Sequence, residues 1–171
     1  NGEIVYVEND KLKSLKPFPP KKIRPCIFEY IYFSRPDSLL NGHTAYEYRK
    51  KFGIELAKED DIQADLVVPV PDSGTAAALG YSQKKGINFD LGLIRNHYVG
   101  RTFIEPGQKI RSLGVKLKLN ANTSSIKNKK IILVDDSLVR GTTSEKIVKM
   151  LYDGGAKEVH MRIACPEIKY P

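Results

Sequence analysis

The sequence predicts an α/β fold built on a central, mostly parallel sheet flanked by helices, and two observations predict it. The apolar runs Leu66-Val67-Val68-Pro69-Val70 and Ile131-Ile132-Leu133-Val134 lack the polar alternation of a strand with one wet face, so they read as strands covered on both sides. Each run stops at a polar, glycine-containing turn, and each turn opens a segment with helical spacing of its apolar residues. Strands separated by helices give βαβ units with right-handed crossovers. Ligands on such sheets bind beyond the carboxyl ends of the strands.

Taken in order, residues 3–8 read as a short strand, followed by a Lys- and Pro-rich linker to Pro25. Residues 26–33, Cys-Ile-Phe-Glu-Tyr-Ile-Tyr-Phe, are rich in aromatic and β-branched side chains and read as a strand that Pro36 and Asp37 end. Residues 44–58 read as a helix, with Tyr46, Tyr48, Phe52 and Leu56 among charges; 65–71 is the first buried strand. The Ala-rich 75–85 is the next helix and 89–94 the next strand. A basic, weakly periodic segment, 95–122, separates it from the strand 131–134. The helix 143–153 stops at Gly154-Gly155, and 158–164 is the last strand.

Composition narrows the class. A chain of 171 residues with 41% hydrophobic and 28% charged side chains can bury one sizeable core. No apolar run has the length of a membrane span, and the first residues lack the basic and apolar regions of a signal peptide. Cys26 and Cys165 stand too far apart for a disulfide framework or zinc spacing, so both read as buried thiols and a reducing cytoplasm is the expected location. The net charge of +8 gathers in two places. Lys11, Lys13, Lys16, Lys21, Lys22 and Arg24 read as a solvated linker. Arg95, Arg101, Lys109, Arg111, Lys116 and Lys118 could instead close over a pyrophosphate, as a mobile loop does. Neither cluster carries a helix-turn-helix, zinc-finger or aromatic RNA-binding pattern, so no nucleic-acid partner is expected.

Residues 131–144 carry the chemistry. After the strand come Asp135 and Asp136, then Ser137, Leu138, Val139, Arg140 and Gly141, then Thr142, Thr143 and Ser144 at the start of a helix. Unpaired N–H groups and the helix dipole favour a phosphate there, and the hydroxyls add donors. The carboxylates can accept hydrogen bonds from the vicinal hydroxyls of a ribose, and they can hold Mg²⁺. A Walker pattern is absent, and a phosphatase-type strand-end aspartate leaves the Arg-Gly-Thr-Thr-Ser turn unexplained. A capping box of Thr142 and Glu145 would account for the helix start but not for the acidic pair. A second turn, Pro71-Asp72-Ser73-Gly74, follows the strand 65–71 and belongs on the same rim. Asp72, Ser73 and Gly74 could hold a diphosphate, with the Ser73 hydroxyl or carbonyl reaching a metal.

The segment 131–144 resembles the phosphoribosylpyrophosphate (PRPP) motif of the type I phosphoribosyltransferases. Three further stretches narrow the resemblance to the glutamine PRPP amidotransferase family: Cys-Ile-Phe-Glu-Tyr-Ile-Tyr-Phe-Ser-Arg-Pro-Asp-Ser at 26–38, Val-Pro-Val-Pro-Asp-Ser-Gly at 68–74, and Arg-Asn-His-Tyr-Val-Gly-Arg-Thr-Phe-Ile at 95–104. Lys-Leu-Asn-Ala-Asn at 118–122 adds a fourth. The resemblance covers nearly the whole chain and implies a type I phosphoribosyltransferase fold. It implies that 26–171 is the phosphoribosyltransferase domain, incomplete at its C-terminus, and that 1–25 holds the tail of a glutaminase domain otherwise missing here, to about residue 15, and the linker after it.

It further implies transfer of ammonia to C1 of PRPP, giving 5-phosphoribosylamine and pyrophosphate, the first committed step of purine synthesis. By resemblance Asp135, Asp136, Tyr98 and Arg101 are catalytic, and Ser137, Val139, Arg140, Gly141, Thr142, Thr143 and Ser144 surround the 5-phosphate. Asp72, Ser73, Gly74 and Arg95 take the pyrophosphate, and Ser73, Asp135 and Asp136 are tied to Mg²⁺. Purine nucleotides are candidate feedback ligands, and the full-length enzyme is a candidate homo-oligomer. The family usually shows Lys-Asn-Arg-Tyr where this chain has Arg95-Asn96-His97-Tyr98. Arg95 keeps the charge without lysine's geometry, and His97 need not be charged at neutral pH, so no phosphate role is assigned to it. Cys26 falls where some members ligate an iron–sulfur cluster, but the other ligands have no counterpart here and no cluster is expected. The rival readings are a PRPP-sensing regulator without catalysis and a salvage phosphoribosyltransferase with a nucleobase acceptor.

Overall fold

The computed structural model describes residues 2–22, 24–59, 61–97, 118–139 and 141–167. The N-terminal stretch is a hairpin. Strand β1 (Ile4–Glu8) pairs antiparallel with β2 (Lys11–Leu15) through a two-residue turn in which Asn9 and Asp10 take φ of 51° and 59°. This is the left-handed turn conformation that matches strand twist, and Asn and Asp adopt it more readily than most residues. The Lys-rich stretch expected as linker therefore contains a strand; its alternating lysines masked the pattern. All ten strand residues are exposed.

A second correction concerns residues 26–33. In place of a strand they form a helical segment that widens to a π-turn at Glu29–Phe33, with the Ser34 N–H donating to the Glu29 carbonyl at 3.3 Å. Tertiary packing overrides the β propensity of the aromatics. Ile31 is buried, the Tyr30 ring meets Tyr48 edge-on at 4.8 Å, and the Arg49 guanidinium claims the Tyr30 and Ser34 carbonyls.

A small hairpin, β3 (Leu39–Leu40) with β4 (His43–Thr44), leads into α1 (Ala45–Lys58). Thr44 and Glu47 form a capping box at its start: the Glu47 N–H donates to the Thr44 hydroxyl at 3.2 Å, and the Glu47 carboxylate accepts from the Thr44 N–H at 2.7 Å. The buried stripe of α1 is Ala45, Arg49, Gly53 and Ala57, spaced by four, rather than the aromatic positions. It packs tightly on α2 (Thr75–Lys85). A Cβ on Gly53 would lie 1.8 Å from the Ala77 carbonyl oxygen, and one on Gly80 would lie 2.0 Å from that of Lys50.

The central sheet has the order β5 (Leu66–Pro69), β8 (Lys130–Asp135), β9 (Glu158–Ile163), all parallel. Strands β6 (Leu93–Arg95) and β7 (Leu119–Ala121) pair antiparallel beside it, followed by a short helix α3 (Thr123–Ile126); α4 (Thr142–Asp153) connects β8 to β9. The strand expected at 89–94 is thus divided. Phe89 bridges parallel to Val67, and the chain turns at Gly92, where a Cβ would come within 2.7 Å of Val68 and Ile126 side chains.

Both faces of the sheet are covered, as its unbroken apolar strands require. Leu66, Val68, Ile131 and Leu133 pack with Ile147 and Leu151 of α4; Val67, Ile132 and Val134 pack with Ala77, Ala78 and Tyr81 of α2. Each such aliphatic side chain contributes about 1.5–3 kcal/mol by burial. No helix among the described residues is long and apolar enough to cross a membrane. The layers hold the carboxyl ends of β5 and β8 side by side, and the turns after them form the site.

Candidate functional site

Register places the two turns. Val68 pairs with Leu133 and Pro69 with Val134, and the Val70 N–H continues the ladder to the Val134 carbonyl at 2.8 Å. The chain then turns at Pro71 through Gly74, across a cis Pro71–Asp72 peptide, and α2 begins. Gly74 is buried against the neighbouring strand end: a Cβ on it would stand 2.3 Å from the Val134 carbonyl oxygen and 3.2 Å from the Asp135 Cα. The turn closes on itself through the Gly74 N–H, which donates to the Val70 carbonyl at 2.9 Å.

Across this contact the Ser73 hydroxyl reaches Asp135 Oδ1 at 3.4 Å. The same oxygen accepts the Asp136 N–H at 2.9 Å, and Asp136 Oδ1 accepts the Ser137 hydroxyl at 2.9 Å. Asp136 Oδ2 is buried with no hydrogen-bond partner among the described residues. The β9 end braces the acidic pair from behind, with the Ala164 and Cys165 N–H groups donating to the Asp135 and Asp136 carbonyls at 2.9 Å. Burial, with the charge of Asp136 adding to it, pushes the Asp135 carboxyl up to about 6. Burial also raises Asp136, while hydrogen bonds from Ser137 and Ser73 and the charge of Arg49 oppose the rise. Two carboxylates held above their ordinary range, one with an orphaned oxygen, form a site short of cations and donors.

The second turn ends at Gly141, whose φ of 72° lies in the left-handed region that glycine adopts without strain. It is the N-cap of α4 and supplies no side-chain cap; the Glu145 N–H donates to its carbonyl at 2.9 Å. The capping box considered for Thr142 and Glu145 is therefore not what starts this helix. Thr142, Thr143 and Ser144 occupy the first turn, with Thr142 and Thr143 exposed. The two turns enclose one cleft of about 410 Å³, lined by Val70, Ser73, Asp135, Asp136, Ser137, Leu138, Val139, Gly141, Thr142, Thr143 and Ser144. Its floor is acidic and its far wall is a helix N-terminus rich in hydroxyls, a pairing suited to a ribose bearing a phosphate.

Asp72 is not among the residues that line this cleft and forms an ion pair with Arg95, at the end of β6. Arg95 Nε is buried without a partner among the described residues. Tyr98, Arg101 and Arg140, together with most of the basic segment 95–122, lie outside the described residues. Cys26 is exposed and Cys165 half-buried, and both are free thiols, so the expectation of two buried thiols is corrected for Cys26. No group of three or more His, Cys, Asp and Glu side chains with metal-site geometry occurs among the described residues. The oxygens of Asp135, Asp136 and Ser73 nevertheless fit a hard cation such as Mg²⁺, which usually takes only one or two carboxylates and completes its shell with water and substrate phosphate. The residue that sequence reasoning missed is Arg49. Its signal was present, a lone arginine at four-residue spacing within a stripe of Ala and Gly.

Comparison with known proteins agrees with this geometry. The model of the phosphoribosyl transferase domain matches residues 37–167. Amidophosphoribosyltransferase of Rhizobium etli is 55% identical over 176 residues, covering 100% of this chain and 36% of that protein. The chloroplastic amidophosphoribosyltransferase of Glycine max is 55% identical over 98% of the chain and 29% of its own length. Among solved structures, glutamine PRPP amidotransferase from B. subtilis, complexed with ADP and GMP, superposes with a TM-score of 0.81 at 46% identity, over 99% of this chain and 37% of that one. The chain thus spans about a third of the length of these relatives.

Proposed function

Because the chain belongs to the phosphoribosyl transferase domain family, we propose that it binds Mg-PRPP in the two-turn cleft and transfers ammonia to C1 of the ribose, releasing pyrophosphate. The observation that carries this reading is the joining of the Ser73 turn and the Asp135-Asp136 turn in a single cleft that ends at the uncapped start of α4. Near-complete coverage by amidophosphoribosyltransferases favours ammonia as the acceptor.

In this reading the N–H groups and hydroxyls of Thr142, Thr143 and Ser144, with Ser137, Val139, Arg140 and Gly141, hold the 5-phosphate. Asp135 and Asp136 accept hydrogen bonds from the 2- and 3-hydroxyls and favour the positive charge that develops on the ring as the C1–O bond breaks. Ser73, Gly74 and Asp72 line the leaving group, with Arg95 supplying countercharge. Pyrophosphate then competes with Asp72 for the Arg95 guanidinium. Mg²⁺, held by Asp135, Asp136 and Ser73, would neutralise the departing diphosphate. Tyr98 and Arg101 keep the catalytic roles that the resemblance implies, toward an ammonia that must arrive free of competing water.

Purine nucleotides share the ribose phosphate that the cleft fits, and the B. subtilis relative is complexed with ADP and GMP. We therefore assign them as competing ligands of the same site. In the full-length protein a glutaminase domain would supply the ammonia, with the chain acting in the cytoplasm or a comparable reducing compartment. The test is pyrophosphate release from PRPP with ammonium as the only nitrogen donor. Release that depends on ammonium supports transferase activity; tight PRPP binding without release favours a sensor.

A further inference from the structure

Among the described residues, Arg49 and Asp136 are the only buried side chains that carry a formal charge, at 8% and 7% exposure, and their charges are opposite. They line the same small cavity, about 10 Å³ in volume, together with Ile31, Phe52, Ser73 and Ala77. That is about the space one water needs. Arg49 is anchored: its Nε donates to the Tyr30 carbonyl at 3.0 Å and its Nη2 to the Ser34 carbonyl at 2.7 Å. These bonds tie the guanidinium to the π-turn and fix the direction of its charge. On the other side, Asp136 Oδ1 is taken by Ser137 while Oδ2 has no hydrogen-bond partner among the described residues. Isolated buried charge is costly, and here an opposite charge offsets part of that cost.

We propose that Arg49 is a positioning residue for Asp136, supplying through the one-water cavity the buried countercharge that holds the carboxylate in place under the ribose and metal site. This rests on the Mg-PRPP reading of the cleft. Arg49 is not among the residues that line the two-turn cleft. It acts from behind, from the buried stripe of α1 that it shares with Ala45, Gly53 and Ala57. The π-turn thereby becomes part of the site: its carbonyls hold the residue that holds Asp136.

The test is a double-mutant cycle on the full chain, with Arg49→Met, Asp136→Asn and the pair, read first by thermal melting without ligand. The expected result is that Arg49→Met lowers Tm by at least about 4 °C more in the wild-type background than in the Asp136→Asn background. Equal losses in both backgrounds would mean that Arg49 only braces the π-turn, and would overturn the proposal. Failure of Arg49→Met to fold while the double variant folds is the same coupling in stronger form. The second readout is Mg-PRPP affinity by calorimetry. Arg49→Met should weaken it roughly 10- to 100-fold, as loss of a partner behind a metal ligand does, and Arg49→Lys should recover part of it. Inorganic phosphate, followed by NMR at the Thr142 and Thr143 amides, should bind the variants as it binds wild type. A wild-type chain that does not bind PRPP would sink the proposed function, whereas the ligand-free melting cycle decides the role of Arg49 on its own.

Discussion

Gly74 approaches Val134 so closely that a side-chain carbon on it would lie 2.3 Å from the Val134 carbonyl oxygen. Its φ of −76° is open to any residue, so the requirement is for space rather than for backbone freedom. That contact sets the distance between the two turns of the cleft. Gly74→Ala should force them apart, costing about 1–3 kcal/mol of stability as overpacking does and weakening PRPP binding at the same time. Denaturant unfolding and calorimetry on one preparation check this. A variant as stable and as tight-binding as wild type would show that the turns are not held by this contact.

The acidity of Asp135 makes a pH prediction. Its carboxyl rises from the ordinary 3.8 to about 6, chiefly through burial. Between about pH 4 and about pH 6 the folded chain therefore binds this proton more tightly than the unfolded chain does. The stabilisation from Asp135 is present in full below about pH 4 and is lost as the pH rises through about 6. Ligand binding runs the other way, because in the proposed Mg-PRPP complex it is the ionised form that holds the ribose hydroxyls and metal. The Tm difference between wild type and Asp135→Asn should shift against wild type as the pH rises across that window, while wild-type affinity for Mg-PRPP increases and protons are released. A difference independent of pH would contradict the assignment.

Thr142 and Thr143 are exposed in the first turn of α4 and serve no cap. Replacing either with Ala should change stability by no more than about 0.5 kcal/mol. Each loss should nevertheless weaken PRPP binding roughly tenfold, the usual value of a hydrogen bond to a charged group. Titration of the two variants against PRPP and against pyrophosphate separates the sites, since pyrophosphate affinity should hardly move.

Most of the framework was legible because its signals are local. Unbroken apolar runs at 66–70 and 131–134 marked strands buried on both faces, and the glycine-ended turns after them marked the rim. Helix α2 has the bounds that its Ala-rich pattern predicts. What failed depended on contacts distant in sequence. The aromatics of 26–33 carry β propensity, yet they form a π-turn whose Tyr30 and following Ser34 carbonyls are held by Arg49, 19 and 15 residues further along the chain. The strand expected at 89–94 is divided at Gly92, a position where Val68 and Ile126, distant in sequence, leave no room for a side chain. In the site, Asp135, Asp136 and Ser73 declare themselves through their turns, whereas Arg49 is identified only once its stripe is seen to face Asp136.

In the proposed function Asp135 and Asp136, beside the Ser73 turn, make this cleft a Mg-PRPP site. Calorimetric titration of Mg-PRPP into wild type and into Asp135→Asn with Asp136→Asn tests it most directly. Saturable binding by wild type, abolished in a double variant that still unfolds cooperatively, is the predicted result. Unchanged PRPP affinity in the folded double variant would contradict it.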